Sequence, residues 1–255
     1  MSESFAKGTV LAVQNFVYLF TNSVRALFTP PRYVVDTLLQ MDTIGFGSLP
    51  IVLLTGVFTG AVLALQTYRT LQTFGEVGVM GEAVALSMVR ELGPVLTALM
   101  VAGRNSSGIA SEIGSMLVSE QIDAMRALGT DPMRKLVAPR LHATVFTLPL
   151  LTILSDFMGL LGGYVISIET AHLTSSEYWT SAYQSLTFED VTQGLIKPFF
   201  FAAIIALVGC YFGLSTTGGT EGVGRSTTRA VVAASVWILV FDFFITRFLI
   251  GIRFA

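Results

Sequence analysis

Five stretches of the sequence are apolar and nearly free of charge, and each is long enough to cross a lipid bilayer. A hydrocarbon core of about 30 Å requires roughly 20 apolar residues in a helical conformation. Only 13% of the 255 residues are charged, whereas a soluble domain carries about a quarter. We therefore predict an all-α integral membrane protein with five transmembrane helices, over residues 49–68, 83–103, 141–168, 197–215 and 230–250.

The residues before the first span form a different kind of segment. Between Thr9 and Phe28 apolar residues alternate with polar and charged ones, and two prolines at 30 and 31 then prevent the helix from continuing. This pattern is typical of an amphipathic helix that lies in the membrane interface, and a sixth span is the alternative. We predict an N-terminal cytoplasmic or interfacial region, 1–48, followed by a five-helix transmembrane domain, 49–255.

The basic residues are distributed asymmetrically about these spans. Ten of the fifteen lysines and arginines lie in the N-terminal region and in the loops that follow spans two and four. The loop after span one holds only Arg69, and the loop after span three holds none. Because cytoplasmic loops are enriched in Lys and Arg, we expect a cytoplasmic N-terminus and an external C-terminus. The external loop after span three is expected to form a surface helix at the headgroup level through Tyr178, Trp179 and Tyr183.

Pairs of glycines four residues apart occur within three of the spans. They are Gly56 and Gly60, Gly159 and Gly163, and Gly209 and Gly213. Lipid tails provide no hydrophobic driving force between helices, so small residues that allow close backbone contact stabilise membrane bundles. The glycine pairs predict a compact bundle, and they also suggest self-association.

The loop between spans two and three contains a short helix outside the membrane. Ser119 is suited to the N-cap, with Glu120 in the first turn, where the helix dipole favours an anion. Gly129 is suited to the C-terminal cap, and Pro132 prevents continuation. The helix would place Ile122, Met125 and Leu128 on one face and would present Glu120, Asp123 and Arg126. An ordinary solvated loop helix is the alternative interpretation.

Six ionisable residues lie at membrane depth, where each is costly and therefore a functional candidate. They are Arg90, Glu91, Asp156, Lys197, Asp242 and Arg247. Pairing of Glu91 with Lys197, and of Asp242 with Arg247, would account for several of them. Alternatively they line a substrate path, in which Arg90 or Lys197 would receive an anionic headgroup.

Two separated motifs carry a resemblance to a known family. The run RELGPVLTALMVAGR, with ASEIGSMLVSEQIDAMRALGTDP soon after it, and the later run GLIKPFFFAAIIALVGCYFGLSTTGGTEGVGRSTTRAVV resemble the MlaE/YrbE family. The members of that family are permease subunits of lipid-transporting ABC systems. The resemblance covers roughly residues 40–250. It is specific, because the two separated motifs agree with the family in order and spacing, as do the chain length and the hydropathy layout.

The resemblance implies a non-catalytic permease in a bacterial inner membrane. It implies a homodimer that binds two copies of a cytoplasmic ABC ATPase, which carry ATP and Mg, and that meets a periplasmic ring of MCE-domain proteins. Phospholipid would pass through a cavity at the dimer interface, and this chain would bind no cofactor or metal. The loop helix would be the coupling helix that contacts the ATPase, through Ser119, Glu120, Gln121, Asp123, Arg126 and Leu128.

Other classes of function fit the sequence less well. The run from Gly219 to Ser226 approaches a P-loop pattern, but it lies between two spans without a preceding strand, so we interpret it as a flexible cytoplasmic turn. His142 and His172 fall on opposite sides of span three, which excludes a shared metal. A net charge of −2 gives no basic surface for nucleic acid. An ion-coupled transporter that uses Glu91, Asp156 and Asp242 as proton relays remains the alternative, although no inverted repeat is visible.

Overall fold

The computed structural model describes residues 33–253, together with Gln14 and Thr21. Nine α-helices occur in residues 33–253: α1 Val34–Phe74, α2 Met80–Ser87, α3 Gly93–Val101, α4 Ser107–Val118, α5 Gln121–Ala127, α6 Ala138–Ala171, α7 Ser175–Ser185, α8 Phe188–Leu214 and α9 Gly219–Arg253. A 3₁₀ turn, Val77–Val79, precedes α2. Apart from Gln14 and Thr21, the predicted interfacial helix over 9–28 lies outside the described residues.

The prediction of five membrane-spanning helices is confirmed within the described part of the chain. The helices that are long and apolar enough to span are Val34–Phe74, Val77–Val118, Met133–Ala171, Phe188–Leu214 and Gly219–Leu249. Most extend beyond the apolar stretches that predicted them, because polar residues at the ends of a span continue the helix. The first is one uninterrupted helix of 41 residues that begins at Val34, although we expected the spanning region to start near 49.

Three turns of these helices are π-helical, which the sequence did not reveal. We call them π1, Met88–Leu92, π2, Ala102–Ser106, and π3, Met133–Val137. A π turn closes i→i+5 hydrogen bonds and therefore contains an extra residue, and such turns occur often at functional sites. Each of the three carries a basic side chain.

The chain divides into two compact units. Among the described residues, the first unit contains those within 1–44, 102–144 and 203–235, and the second contains those within 45–101, 145–202 and 236–255. Each is described by itself below.

In the first unit, α4 packs closely against α8. A Cβ atom on Gly213 would lie 2.8 Å from the Cβ of Ile113, and one on Gly209 would lie 3.1 Å from the Cβ of Ile109. The predicted glycine pair therefore makes a helix contact within the chain. Cys210 between them is fully buried, as expected for a structural thiol.

The segment after α8 differs from the prediction. We expected a flexible turn from Gly219 to Ser226, but α9 begins at Gly219, so most of this run is its first two turns. The hydroxyl of Thr216 donates to the Ser226 hydroxyl at 3.0 Å, and both side chains are buried. Gly218 and Gly219 have φ angles of 90° and 66°, which glycine adopts without strain, and the helix can therefore start there.

In the second unit, α1 crosses α6 at their glycines. A Cβ on Gly60 would overlap the backbone carbonyl of Gly159, and one on Gly56 would lie 2.6 Å from the Ser155 carbonyl oxygen. These two glycine pairs also mediate contacts within the chain, in agreement with the predicted compact bundle. They explain how helices that gain nothing from burying apolar surface in lipid can still pack.

The helix predicted around Tyr178 is present as α7. The Thr174 side chain accepts a hydrogen bond from the Glu177 N–H, and the Glu177 carboxylate accepts one from the Thr174 N–H, which makes a capping box. Hydrogen bonds from the Thr174 backbone and then from its side chain lower the pKa of Glu177. Tyr178 does not lie at a headgroup surface: its side chain is fully buried, its hydroxyl donates to the Leu160 carbonyl at 3.0 Å, and burial raises its pKa. Tyr183 is the exposed aromatic of this helix, at 83%.

Candidate functional site

Lys197 is the centre of a cluster of charged side chains in the second unit. Its Nζ lies 2.6 Å from Glu91 Oε2 and 3.1 Å from Asp242 Oδ1, and its side chain is completely buried. The same Nζ donates to the backbone carbonyl of Arg90 at 2.9 Å. The predicted pair of Glu91 and Lys197 is therefore present, and all three donors of the ammonium group have an acceptor nearby.

A proline explains why the Arg90 carbonyl is available to Lys197. In an α-helix this carbonyl would accept the N–H of the residue four positions later, which is Pro94. Proline has no N–H, and its ring also displaces the carbonyl four residues before it. The π1 turn ends at Leu92, two residues before Pro94, and widens the helix at this point. Pro94 thus leaves the Arg90 carbonyl without a helical hydrogen bond inside a span, and the Lys197 ammonium group donates to it instead.

Arg90 forms the third ion pair of the cluster, with Asp190. Its Nε and Nη2 lie 2.8 Å and 2.7 Å from Asp190 Oδ1. The Asp190 side chain is completely buried, whereas 32% of the Arg90 side chain is exposed. Asp190 Oδ2 accepts from the Thr187 N–H at 3.0 Å and from its hydroxyl at 2.8 Å, where α8 begins. Two nitrogen atoms of Arg90 contact one oxygen of a carboxylate that Thr187 holds in place, and this fixes the direction of the arginine side chain.

Sequence reasoning missed Asp190 and Thr246. The spacing of Thr187 and Asp190 is that of a capping box just before an apolar run, and it would have placed this carboxylate at the first turn of α8. Thr246 donates from its hydroxyl to Glu91 Oε1 at 3.3 Å and lies one helical turn after Asp242. We refer to Arg90, Glu91, Asp190, Lys197 and Asp242 as the charge cluster.

Two of the candidates lie apart from these contacts. The predicted pairing of Asp242 with Arg247 is wrong: Asp242 lies against Lys197, and Arg247 is exposed on α9. Asp156 lies against Gly93, where any Cβ would overlap its Oδ1. This oxygen is buried and has no hydrogen-bond partner among the described residues.

The loop helix predicted between spans two and three is α5, but its start differs from the prediction. Ser119 is not its N-cap: the Ser119 hydroxyl donates back to the Ser115 carbonyl at 2.8 Å and ends α4. Glu120 makes the turn between the helices with a left-handed φ of 57°. Because α4 continues to Val118, serine completes that helix instead of starting the next.

The end of α5 agrees with the prediction. Gly129 has a φ of 76°, its N–H donates to the Arg126 carbonyl, and the N–H of Thr130 donates to the Met125 carbonyl. These two hydrogen bonds form a Schellman motif, the C-terminal cap that commonly uses a glycine.

Of the side chains of α5 and its C-cap, Leu128, one apolar side chain is buried and several others are exposed. Ile122 is completely buried, whereas Leu128 is 83% exposed. Asp123 and Arg126 form an exposed ion pair at 2.8 Å. Leu128 and the Asp123–Arg126 pair are therefore accessible to another protein.

Groups that could hold a metal are not found in the part of the chain that the structure describes. No cluster there brings together three or more His, Cys, Asp or Glu side chains. The charge cluster has two cations among its carboxylates, so its chemistry is ion pairing and not metal binding.

Comparison with known proteins covers most of the chain. A family model described as Permease MlaE matches residues 37–248. The chain is 43% identical to a probable ABC transporter permease protein of Rickettsia typhi, over 89% of this chain and 88% of the relative. It is 43% identical to a probable ABC transporter permease protein of Synechocystis, over 83% and 80%. It is 38% identical to the intermembrane phospholipid transport system permease protein MlaE of Haemophilus influenzae, over 83% and 82%.

Proposed function

The chain belongs to the MlaE family of ABC transporter permeases, and we propose that it moves phospholipid or a related lipid between the inner membrane and a periplasmic MCE-domain protein. As a permease it is not an enzyme, and a separate ATPase subunit hydrolyses ATP. The observation that carries the proposal is a partly exposed arginine, Arg90, within a spanning segment of the second unit.

Arg90 is the group best placed to contact a lipid phosphate. Lys197 was the other candidate, but its side chain is completely buried and bound to two carboxylates and a carbonyl. A guanidinium that already points one edge at Asp190 can donate from its remaining N–H groups to phosphate oxygens. Lys197 then has a different role, which is to hold Glu91 and the π1 turn in place.

Apolar side chains that suit lipid tails follow the cluster residues in sequence. Phe199 and Phe200 come directly after Lys197-Pro198 and are 45% and 52% exposed. Phe243 and Phe244 follow Asp242 and are 60% and 58% exposed. A charged headgroup site beside exposed aromatic rings matches the two halves of a phospholipid.

The partners follow from the same family membership. We propose a homodimer with a lipid cavity at its interface, two copies of the ATPase with bound ATP and Mg, and an MCE-domain ring on the periplasmic side. The N-terminus would be cytoplasmic and the C-terminus periplasmic. α5 would be the ATPase contact, with Leu128 as the apolar anchor and Asp123 and Arg126 at the rim.

The ion-coupled alternative receives no support from the comparisons. The relatives are named as ABC transporter permeases, which favours ATP as the source of energy. Asp156, one of the three carboxylates in that scheme, is also separate from the charge cluster.

The experiment that tests the proposal has two steps. The tagged chain is purified from its native membrane, and both copurifying proteins and bound lipids are identified by mass spectrometry. The complex is then placed in liposomes, and ATP-dependent transfer of labelled phospholipid is measured. Recovery of an ATPase and of phospholipid is expected. A chain that copurifies with no ATP-hydrolysing subunit would refute the proposal.

Variants of Arg90 test the headgroup contact. A hydrogen bond to a charged group contributes about 1.5–3 kcal/mol, so Arg90→Ala should reduce lipid transfer by roughly 10- to 100-fold. Arg90→Lys should retain part of it. The matched control is Arg69→Ala, which removes an exposed arginine outside the cluster. Equal transfer by Arg90→Ala and Arg69→Ala would contradict the assignment.

A further inference from the structure

Two basic side chains, one from each of the π turns that flank α4 and α5, contact the start of α1 within the first unit. Arg104, in π2, donates from Nη1 to the backbone carbonyl of Thr43 at 2.9 Å. Lys135, in π3, forms an ion pair with Asp36, and its Nζ lies 4.5 Å from the centre of the Tyr33 ring. We call the Lys135–Asp36 and Arg104–Thr43 contacts the two ties.

Both ties are on one face of α1. Asp36 and Thr43 are seven residues apart, which is close to two turns of an α-helix. The stretch they hold has little apolar burial of its own: Val35, Leu38 and Leu39 are 71%, 60% and 61% exposed. Polar contacts therefore supply much of what connects these two turns to the rest of the first unit.

The ties come from either end of the segment that carries α5. Arg104 precedes α4, and Lys135 follows α5 after a short turn. Arg140 and Glu112 link the two ends of this segment, with Nη2 and Oε2 at 2.6 Å and the arginine side chain only 4% exposed. A displacement of α5 would therefore be carried to both π turns together.

We propose that Lys135 and Arg104 are positioning residues, which make the first three turns of α1 move with the segment that the ATPase contacts. The inference rests on the proposed function, because it assumes that a partner acts on α5. Charged side chains on π turns suit this role. A π turn can return to α geometry by the shift of one residue, and the basic group then moves with it.

Charge reversal at the Lys135–Asp36 pair tests the proposal. Lys135→Glu, Asp36→Lys and the double exchange are compared as complete complexes in liposomes, with phospholipid transfer and ATP hydrolysis measured together. We expect each single variant to lower the lipid moved per ATP at least about fivefold, the lower range of coupling effects between sites. The double exchange should restore the ratio. Normal ratios in the single variants, or no recovery in a folded double variant, would overturn the proposal.

Hydrogen exchange of the α1 amides gives a readout that does not depend on transport. The single variants should raise exchange over residues 34–44, and the double exchange should return it to the original rate. If the single variants change the hydrogen exchange of α1 but leave the lipid-to-ATP ratio unchanged, the two ties only stabilise the fold. That result would overturn the proposal. Failure of the proposed function itself is distinguishable, since the unaltered complex would then show no ATP-dependent transfer.

The matched control is a charge reversal within one helix. Glu221 and Arg225 form an exposed pair of α9 at 3.6 Å, with side chains 82% and 61% exposed. Glu221→Lys changes the net charge by the same amount as Asp36→Lys, but the ion pair that it breaks lies within one helix and does not connect two elements. It should leave both the lipid-to-ATP ratio and the exchange of α1 unchanged.

Discussion

Replacement of Lys197 by methionine is the most direct test of how the charge cluster is held together. Methionine preserves much of the side-chain volume and removes the ammonium group. Glu91 and Asp242 then lose the cation that lies 2.6 Å and 3.1 Å from them. The Arg90 carbonyl also loses its donor.

The expected loss of stability depends on how exposed the two unpaired carboxylates, Glu91 and Asp242, are. Removing one partner of a buried ion pair costs about 3–5 kcal/mol, because the other charge stays buried and uncompensated. Asp242 is 20% exposed and Glu91 is 41% exposed, so water screens part of their repulsion. We therefore expect the lower end, about 3 kcal/mol. This corresponds to a fall in the thermal midpoint on the order of 10 °C for a chain of this size.

The assay is thermal unfolding of the purified complex in detergent. Neutralising the carboxylates as well, in the triple variant Lys197→Met, Glu91→Gln and Asp242→Asn, should recover most of the lost midpoint, because a neutral cluster has no uncompensated charge. Arg69→Met is the control for loss of an exposed cation. A midpoint within about 2 °C of the unaltered protein for Lys197→Met would refute the reasoning.

Three further substitutions test single features of the fold. Pro94→Ala adds an N–H that competes for the Arg90 carbonyl, so ATP-dependent lipid transfer should fall severalfold without a lower thermal midpoint. Gly60→Ala forces a Cβ against the Gly159 carbonyl and should destabilise the protein by about 1–3 kcal/mol, measured by thermal unfolding. Thr174→Ala removes the cap of α7 and should cost about 1 kcal/mol, seen as roughly fivefold faster hydrogen exchange in its first turn.

Two of these substitutions, Gly60→Ala and Thr174→Ala, have a control at a similar position. Gly108→Ala places a Cβ in open space within a helix and should not destabilise the protein. Ser176→Ala changes an exposed hydroxyl inside α7 and should leave its first turn protected. Faster exchange in Ser176→Ala than in Thr174→Ala, or equal midpoints for Gly60→Ala and Gly108→Ala, would contradict the assignments. So would normal lipid transfer by Pro94→Ala.

The features that the sequence predicted correctly depend on local composition and spacing. Five apolar stretches sufficed for five spans, since only a helix satisfies its own backbone in lipid. The spacing of Gly56 and Gly60 indicated a close contact, because any side chain there would keep two backbones apart. The pairing of Glu91 with Lys197 followed from charge and depth alone, as a buried lysine needs a carboxylate.

Two of the predictions that were wrong concern the N-cap of α5 and the partner of Asp242. Each depends on a feature of the folded structure that the local sequence pattern does not contain. Ser119 followed by an acidic residue fits the start of a helix as well as the end of one. The left-handed conformation of Glu120 decides between them, and no side-chain pattern announces it. Likewise Asp242 was predicted to pair with Arg247, the cation nearest to it along the sequence. Its partner is Lys197 because that ammonium group is buried beside it, whereas Arg247 is exposed.

The π turns have a physical cause that hydropathy does not record. A π turn is rare within an α-helix, which indicates that other contacts stabilise it where it occurs. In each unit that contact is made by a basic side chain of the turn itself: Arg90 with Asp190, Arg104 with a carbonyl of α1, and Lys135 with Asp36. The sequence shows the cations but not their partners, which lie 60 to 100 residues away along the chain. The local preference for an α-helix is overridden at these turns, which is expected where a chain keeps strained geometry for function.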